Sequence, residues 1–219
     1  MSSLAHGFED REAAAQQLAD RLKAYQGKNP LILAIPRGAV PMGRIIAERL
    51  GGQLDVVLVR KVASPFNPEF ALGAVDEDGN LFMNPYHGMS GAEAAEIARE
   101  KERQMAVIKA RRASYLPQQA QIDPAGRIVI VVDDGIATGA TMIAALKSVR
   151  TKKPKKLICA TPVGAPDSIR SVTDYADQVV CLQEPEYFMA VGQFYRYFPQ
   201  VSDEEVTQEL AAAAAARSP

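Results

Sequence analysis

Five apolar runs divide the chain and leave it few folds to choose from. "PLILAI" (30–35), "LDVVLVR" (54–60), "RIVIVVD" (127–133), "KKLICATPV" (155–163) and "DQVVCLQ" (177–183) are short enough for strands and nearly continuous in apolar character. Helical patterns such as "MGRIIAERLGG", "TMIAALKSVR" and "PDSIRSVTDYA" lie between them. Strands apolar on both faces, alternating with helices, specify a parallel sheet covered on both sides. Ligands of such α/β sheets bind beyond the carboxyl ends of the strands. The loops that leave strand ends, 36–41, 61–80 and 133–141, therefore hold the candidate site.

The remaining elements follow from local signals. "FEDREAAAQQLADRLKAY" (8–25) predicts an opening helix with Leu18, Leu22 and Tyr25 on one stripe. Gly51–Gly52 stop the second helix, because glycine takes the left-handed cap. The Pro-, Gly- and Asn-rich stretch 63–88 is expected to hold a hairpin around "VDEDGNLFM", where Asp-Gly signals a turn. Ser90 with Glu93 predicts a capping box for a charged helix to about Arg112, and Ser202 with Glu205 a second one for the final helix. That helix runs into "AAAAAARSP", whose end is expected to fray. With no internal repeat or linker, 1–219 reads as one domain. Its core is about 31–182, and 183–219 joins the helix 8–25 as an appended part.

Charge and composition narrow the partners. A net charge of −1 gives no footprint for nucleic acid or an anionic membrane, so an anionic ligand needs a local site. No apolar run reaches the ~18 residues of a membrane span, and "MSSLAHGFEDRE" is too polar and acidic for a signal peptide. The expected location is cytoplasmic. Cys159 and Cys181 sit inside apolar runs and read as buried thiols. His87 beside Gly88 reads as a turn residue, and no His/Cys spacing suggests zinc.

The stretch "VVDDGIATGAT" carries the chemistry. Asp133 and Asp134 project from the carboxyl edge of a strand, and Gly135, Thr138, Gly139 and Thr141 lead into a helix. Glycines allow close approach of the backbone, and the free N–H groups of a helix start suit an anion. Two carboxylates would repel that anion, but as acceptors they suit vicinal sugar hydroxyls. A phosphate pocket beside a diol pocket describes a ribose 5-phosphate. Taken alone, Asp-Asp-Gly also fits a plain turn with Thr141 as an N-cap.

The whole run resembles, nearly residue for residue, the phosphoribosyl-diphosphate signature of type I phosphoribosyltransferases. The resemblance implies their fold, a parallel sheet with helices on both faces and a small hood formed by C-terminal and N-terminal segments. It also implies that Asp133 and Asp134 contact the ribose hydroxyls, while Gly135, Ala137, Thr138, Gly139, Ala140 and Thr141 form the loop that cradles the 5-phosphate. "AIPRGAVPMG" holds the place of the family's pyrophosphate loop, which implies a cis peptide between Pro36 and Arg37 and amides of Arg37 and Gly38 turned toward pyrophosphate. In "VRKVASP", Arg60 and Lys61 stand where several purine phosphoribosyltransferases carry a basic pair toward pyrophosphate, and 64–79 would match the family's mobile loop. The outer segments are similar to a group of predicted bacterial and archaeal phosphoribosyltransferases whose acceptor is not generally established.

The implied reaction displaces pyrophosphate from C1 of phosphoribosyl diphosphate by a nitrogenous base, with a purine favoured. Asp133, Asp134 and Lys61 are its catalytic residues, and Mg2+ is bound mainly through the substrate with no dedicated protein ligands. Hypoxanthine–guanine enzymes carry aspartate where Ala137 stands, and adenine-type enzymes carry alanine, which argues against one base without naming another. Glu184 and Glu186 lie where the acceptor hood sits, as solvated charges or acceptor contacts. Tyr187, Phe188, Phe194, Tyr195 and Phe198 read equally as a stacking surface or as a satellite core. The resemblance also allows a homodimer. The alternative reading is a non-catalytic regulator that binds phosphoribosyl diphosphate or a nucleotide. A phosphatase of the haloacid-dehalogenase type needs Asp-x-Asp, which adjacent acids do not supply.

Overall fold

The computed structural model describes residues 7–85, 87–116 and 121–216. The last residues of the alanine-rich tail, where fraying is expected, lie outside these. Its centre is a five-stranded parallel sheet in the order β2-β1-β6-β7-β8. The strands are β1 (Leu31–Ala34), β2 (Gln53–Val56), β6 (Ile128–Val132), β7 (Lys156–Val163) and β8 (Gln178–Gln183). β1 and the last four residues of β6 are wholly buried, as their continuous apolar sequence requires.

Alternate residues of the strands supply two cores. Ile32, Ala34, Ile130, Val132 and Ile158 face one side, where α1 (Arg11–Arg21), α2 (Ala39–Leu50) and α6 (Asp203–Ala215) pack. Leu31, Leu33, Val129, Val131 and Leu157 face the other, under α4 (Ala140–Thr151) and α5 (Pro166–Thr173). Gly51 ends α2 at φ +65°, as its sequence predicts. Ser202 caps α6 by accepting from the Glu205 amide at 3.1 Å, while the Glu205 carboxylate accepts from the Ser202 amide at 2.6 Å.

Two expectations need correction. The run 54–60 is not one strand. β1 ends before Pro36, and the Val57 amide makes the last bond to it, at Ala34 O, 3.1 Å away. With no further partner the chain swings out at Val57–Leu58 and becomes β3 (Val59–Ala63) of a second, antiparallel sheet with β4 (Ala71–Asp76) and β5 (Leu81–Met83). Much of 64–79 is therefore ordered strand and turn. The capping box of α3 (Ala94–Tyr115) also lies three residues later than expected. Ser90 Oγ is used in a short 3-10 turn, donating to His87 O at 2.7 Å and accepting from the Ala92 amide at 3.1 Å. Glu93 is the N-cap instead, its amide donating to the Glu96 carboxylate at 2.9 Å. The expected β4–β5 hairpin is present: Asp76 Oδ1 accepts from the amides of Asp78 and Asn80, and Gly79 takes φ +81°.

Candidate active site

β1 lies between β2 and β6, so the connections from β1 and β6 leave in opposite directions and open a crevice at their carboxyl ends. The Ile35 amide donates to Val132 O at 2.9 Å, which fixes the two exits side by side. One exit runs through Pro36–Arg37, whose peptide is cis, as the resemblance implied, and then Gly38. The other carries Asp133 and Asp134. The two loops touch: a Cβ added at Gly38 would lie 1.9 Å from Asp134 Oδ2. A side chain at this position would have to displace the Asp134 carboxylate.

The acids are tied into the protein on several sides. Asp133 Oδ1 accepts from the Asp134 amide at 2.9 Å. Burial, and then the charge of Asp134, raise the pKa of Asp133 well above the usual carboxylate value. Burial also raises Asp134, but the Arg11 guanidinium pulls it back. Arg11, at the start of α1, places Nε and Nη2 on Asp134 Oδ2 at 2.9 and 2.8 Å. Tyr195 Oη donates to the Asp134 carbonyl at 2.6 Å, and its phenol is pushed up by burial and by Asp134. Arg11 and Tyr195 lie 123 and 61 residues from Asp134. No local sequence signal points to either.

Beyond the acids the loop is pinned from below and open above. Gly135 lies against Val191, where a Cβ would meet Cγ1 at 2.3 Å. Ile136 bridges to Gly164, and Ser168 Oγ donates to Ala137 O at 2.6 Å. Gly139, at φ +76°, is the N-cap of α4, so Thr141 is not the cap. Ala137, Thr138, Ala140 and Thr141 are exposed. The first-turn amides of a helix lack intrahelical partners, and here the residues that open the helix, Ala140 and Thr141, are exposed. Among the described residues the one side chain bonded to them is Thr138, whose Oγ1 accepts from the Ala140 amide at a long 3.5 Å.

The basic residues divide. Lys61 is exposed, and Nζ donates to Pro68 O at 2.9 Å within its own hairpin. It shares a cavity of about 490 Å³ with Thr138, Ala140 and Thr141, which lies between the small sheet and α4. Arg60, the neighbouring residue of β3, points to the other face of the strand and donates to Gln104 Oε1 of α3. Burial first, then Arg111 and Arg103, lower its pKa. Arg37 is exposed, 3.8 Å from Asp203 Oδ2, and Asp203 Oδ1 accepts from Tyr115 Oη at 2.5 Å. The structure thus brings Gly38 to the acid pair, sets both Arg60 and Lys61 on the lining of the cavity that reaches the loop 138–141, and bonds the Arg60 guanidinium to α3.

Most of the aromatic segment is core. The Phe8 amide donates to Phe194 O at 2.7 Å, Tyr195 stacks on Phe198 at 4.7 Å, and Phe188 lies 5.0 Å from Phe194. Tyr187, by contrast, is 86% exposed, and Glu184 and Glu186 are exposed too. His87 sits in a turn, with Nδ1 2.7 Å from Asn84 O. Cys159 is buried and Cys181 half-buried. Burial pushes both thiols up, Cys181 to about 12. Among the described residues no helix is long and apolar enough to cross a membrane.

This crevice holds the acid pair and the glycine-containing loop on which the resemblance to phosphoribosyltransferases rests. The chain belongs to that family, since the Phosphoribosyl transferase domain matches residues 7–199. Its fold is the parallel-sheet phosphoribosyltransferase fold with helices on both faces. The crystal structure of TT1426 from Thermus thermophilus is similar, with 42% identity and a TM-score of 0.84, covering 94% of this chain and 98% of that one. Two Mycobacterium tuberculosis proteins, "Putative phosphoribosyl transferase MT0597" and "Putative phosphoribosyl transferase Rv0571c", are 42% identical over 205 residues. The match covers 93% of this chain and 46% of theirs, so the chain spans about half their length.

Proposed function

We propose that the protein transfers the 5-phosphoribosyl group between phosphoribosyl diphosphate and a nitrogenous base, a purine in the first instance, releasing pyrophosphate. The observation that carries this reading is the contact of the Pro36–Gly38 loop with the Asp133–Asp134 loop at the sheet's switch point, continuous with the open N-terminus of α4. The 5-phosphate is held by the amides of Thr138–Thr141 and the two threonine hydroxyls. Asp133 and Asp134 accept from the ribose hydroxyls. The amides of Arg37 and Gly38 and the Lys61 ammonium hold pyrophosphate.

A base nitrogen attacks C1 while the bond from C1 to the pyrophosphate oxygen breaks, with inversion. Negative charge grows on the leaving oxygen and positive charge on the ring, so donors that close on pyrophosphate stabilise the transition state. Among the described residues no cluster of three or more acidic, histidine or cysteine side chains could hold a metal ion, so magnesium would come bound through the diphosphate and would supply neutralisation of the leaving charge.

The test is incubation with phosphoribosyl diphosphate, magnesium and a panel of bases, with released pyrophosphate and nucleoside monophosphate quantified. Release with one base establishes the transferase and names its acceptor. Saturable binding with no release for any base moves the reading to a regulator.

A further inference from the structure

Arg11 is an unusual first residue for a helix. A cation at an N-terminus opposes the helix dipole, where acids are favoured. It is nevertheless only 11% exposed, and all of its polar atoms are engaged. Nε and Nη2 both reach Asp134 Oδ2, Nη1 donates to Pro199 O at 2.7 Å, and the guanidinium lies 3.7 Å over the Phe198 ring. A Cβ at Gly38 would come within 3.2 Å of Nη2. One side chain therefore joins the ribose acid, the pyrophosphate loop and the aromatic segment 188–199. Apart from the backbone amide of Asp134 itself, which also acts on this carboxylate, no described residue hydrogen-bonds Asp134 Oδ1.

We infer that Arg11 is a positioning residue for phosphoribosyl diphosphate, holding Asp134 Oδ2 on the protein side so that Oδ1 is presented to a ribose hydroxyl. The inference rests on the reading under Proposed function. A planar guanidinium held at a fixed angle brings two of its nitrogens onto one carboxylate oxygen and so fixes the rotamer, which a freely rotating ammonium does less well. The stack on Phe198 and the bond to Pro199 fix the guanidinium in turn.

The groups facing Asp134 are Asp133 on the same loop, Arg11 from α1 and Tyr195 from the aromatic segment, with Cys159 of β7 near Asp133. Arg11 is the cation among them. Without it the paired acids take up a proton at higher pH. A purely structural Arg11 would instead change affinity equally at every pH.

The experiment is calorimetric titration of phosphoribosyl diphosphate with magnesium into the wild-type chain, Arg11→Met and Arg11→Lys, from mildly acidic to neutral pH, with thermal unfolding measured alongside. Arg11→Met is expected to bind roughly tenfold to a hundredfold more weakly, with its acid limb moved to higher pH. Arg11→Lys is expected to restore the wild-type acid limb but only part of the affinity. Unchanged or tighter binding by Arg11→Met overturns the inference, as does a weakening that is uniform with pH. Should Arg11→Met not fold, Arg11→Lys decides, and wild-type affinity in that variant overturns the inference. Failure of the wild type to bind overturns the functional reading itself, a distinct result.

Discussion

The ligand-facing surface has two unlike halves. Around Asp134 the protein is clamped: the β1 and β6 exits are hydrogen-bonded to each other, Gly38 abuts the carboxylate, and Arg11 and Tyr195 grip it from distant segments. Around Lys61 it is open. The small sheet has one partly buried strand after another, β5 being nowhere fully buried, and among the described residues Lys61 bonds only a carbonyl of its own hairpin. The lesson is a division of labour. The side of the acid pair is built in advance, and Lys61 rides on an element with fewer anchors, free to adjust.

The main tie between the halves is Arg112 of α3. It donates to Asp55 Oδ1 of β2 at 2.5 Å, to Val56 O at 3.0 Å and to Glu77 Oε1 of the β4–β5 turn at 2.8 Å. Asp55 is 1% exposed, so this is a buried cluster. Burial raises Glu77 even against the pull of Arg112. Arg112→Met leaves two buried acids without their cation and is expected to cost about 3–5 kcal/mol of stability. Denaturant unfolding checks the size of the loss. Amide exchange accelerated in β3–β5 more than in β1 and β6 would sharpen the contrast, and uniform acceleration would break it.

On the clamped side, Asp134→Asn is expected to weaken phosphoribosyl-diphosphate binding by about 1.5–3 kcal/mol, with folding intact by circular dichroism. A folded variant of unchanged affinity would remove Asp134 from the ribose site.

Asp133 gives a pH prediction. Its folded pKa is raised, so between the ordinary carboxylate value, about 4, and that raised value the native chain holds a proton the unfolded chain has lost. This group's contribution is therefore favourable at low pH and is lost as pH rises. Asp133→Asn should melt above the wild type at neutral pH, with the difference closing as pH falls toward about 4. Thermal melts across that range check the sign, and a variant less stable at neutral pH contradicts it.

The smallest effect belongs to the open half. Lys61→Met is expected to reduce kcat/KM by roughly 1 kcal/mol, within about tenfold, and to leave the unfolding midpoint unchanged. A drop in stability would mean that the hairpin is anchored more firmly than its contacts indicate.

The parallel sheet was legible because each central strand is buried on both faces, so its apolar run is continuous. The placement of the acid pair and the following loop at the carboxyl end of β6 was legible because they occupy one uninterrupted stretch, 133–141, and the cap of α6 because Ser202 and Glu205 satisfy each other locally. What escaped depends on partners far away in the chain. The break at Val57 follows from where β1 stops, and the capture of Arg60 by Gln104 follows from where α3 packs. Arg11 bonds a carboxylate more than a hundred residues away, across the crevice. Phe194, Tyr195 and Phe198 have the same composition whether they stack on a ligand or on one another. Only their contact with Phe8 and the acid loop separates these uses.

The central claim is that the crevice between β1 and β6 is a phosphoribosyl-diphosphate site. Calorimetric titration of that compound into the wild-type chain, with and without magnesium, tests it most directly. The account predicts saturable binding of one molecule per chain, strengthened by magnesium and competed by pyrophosphate. No binding under either condition would contradict it.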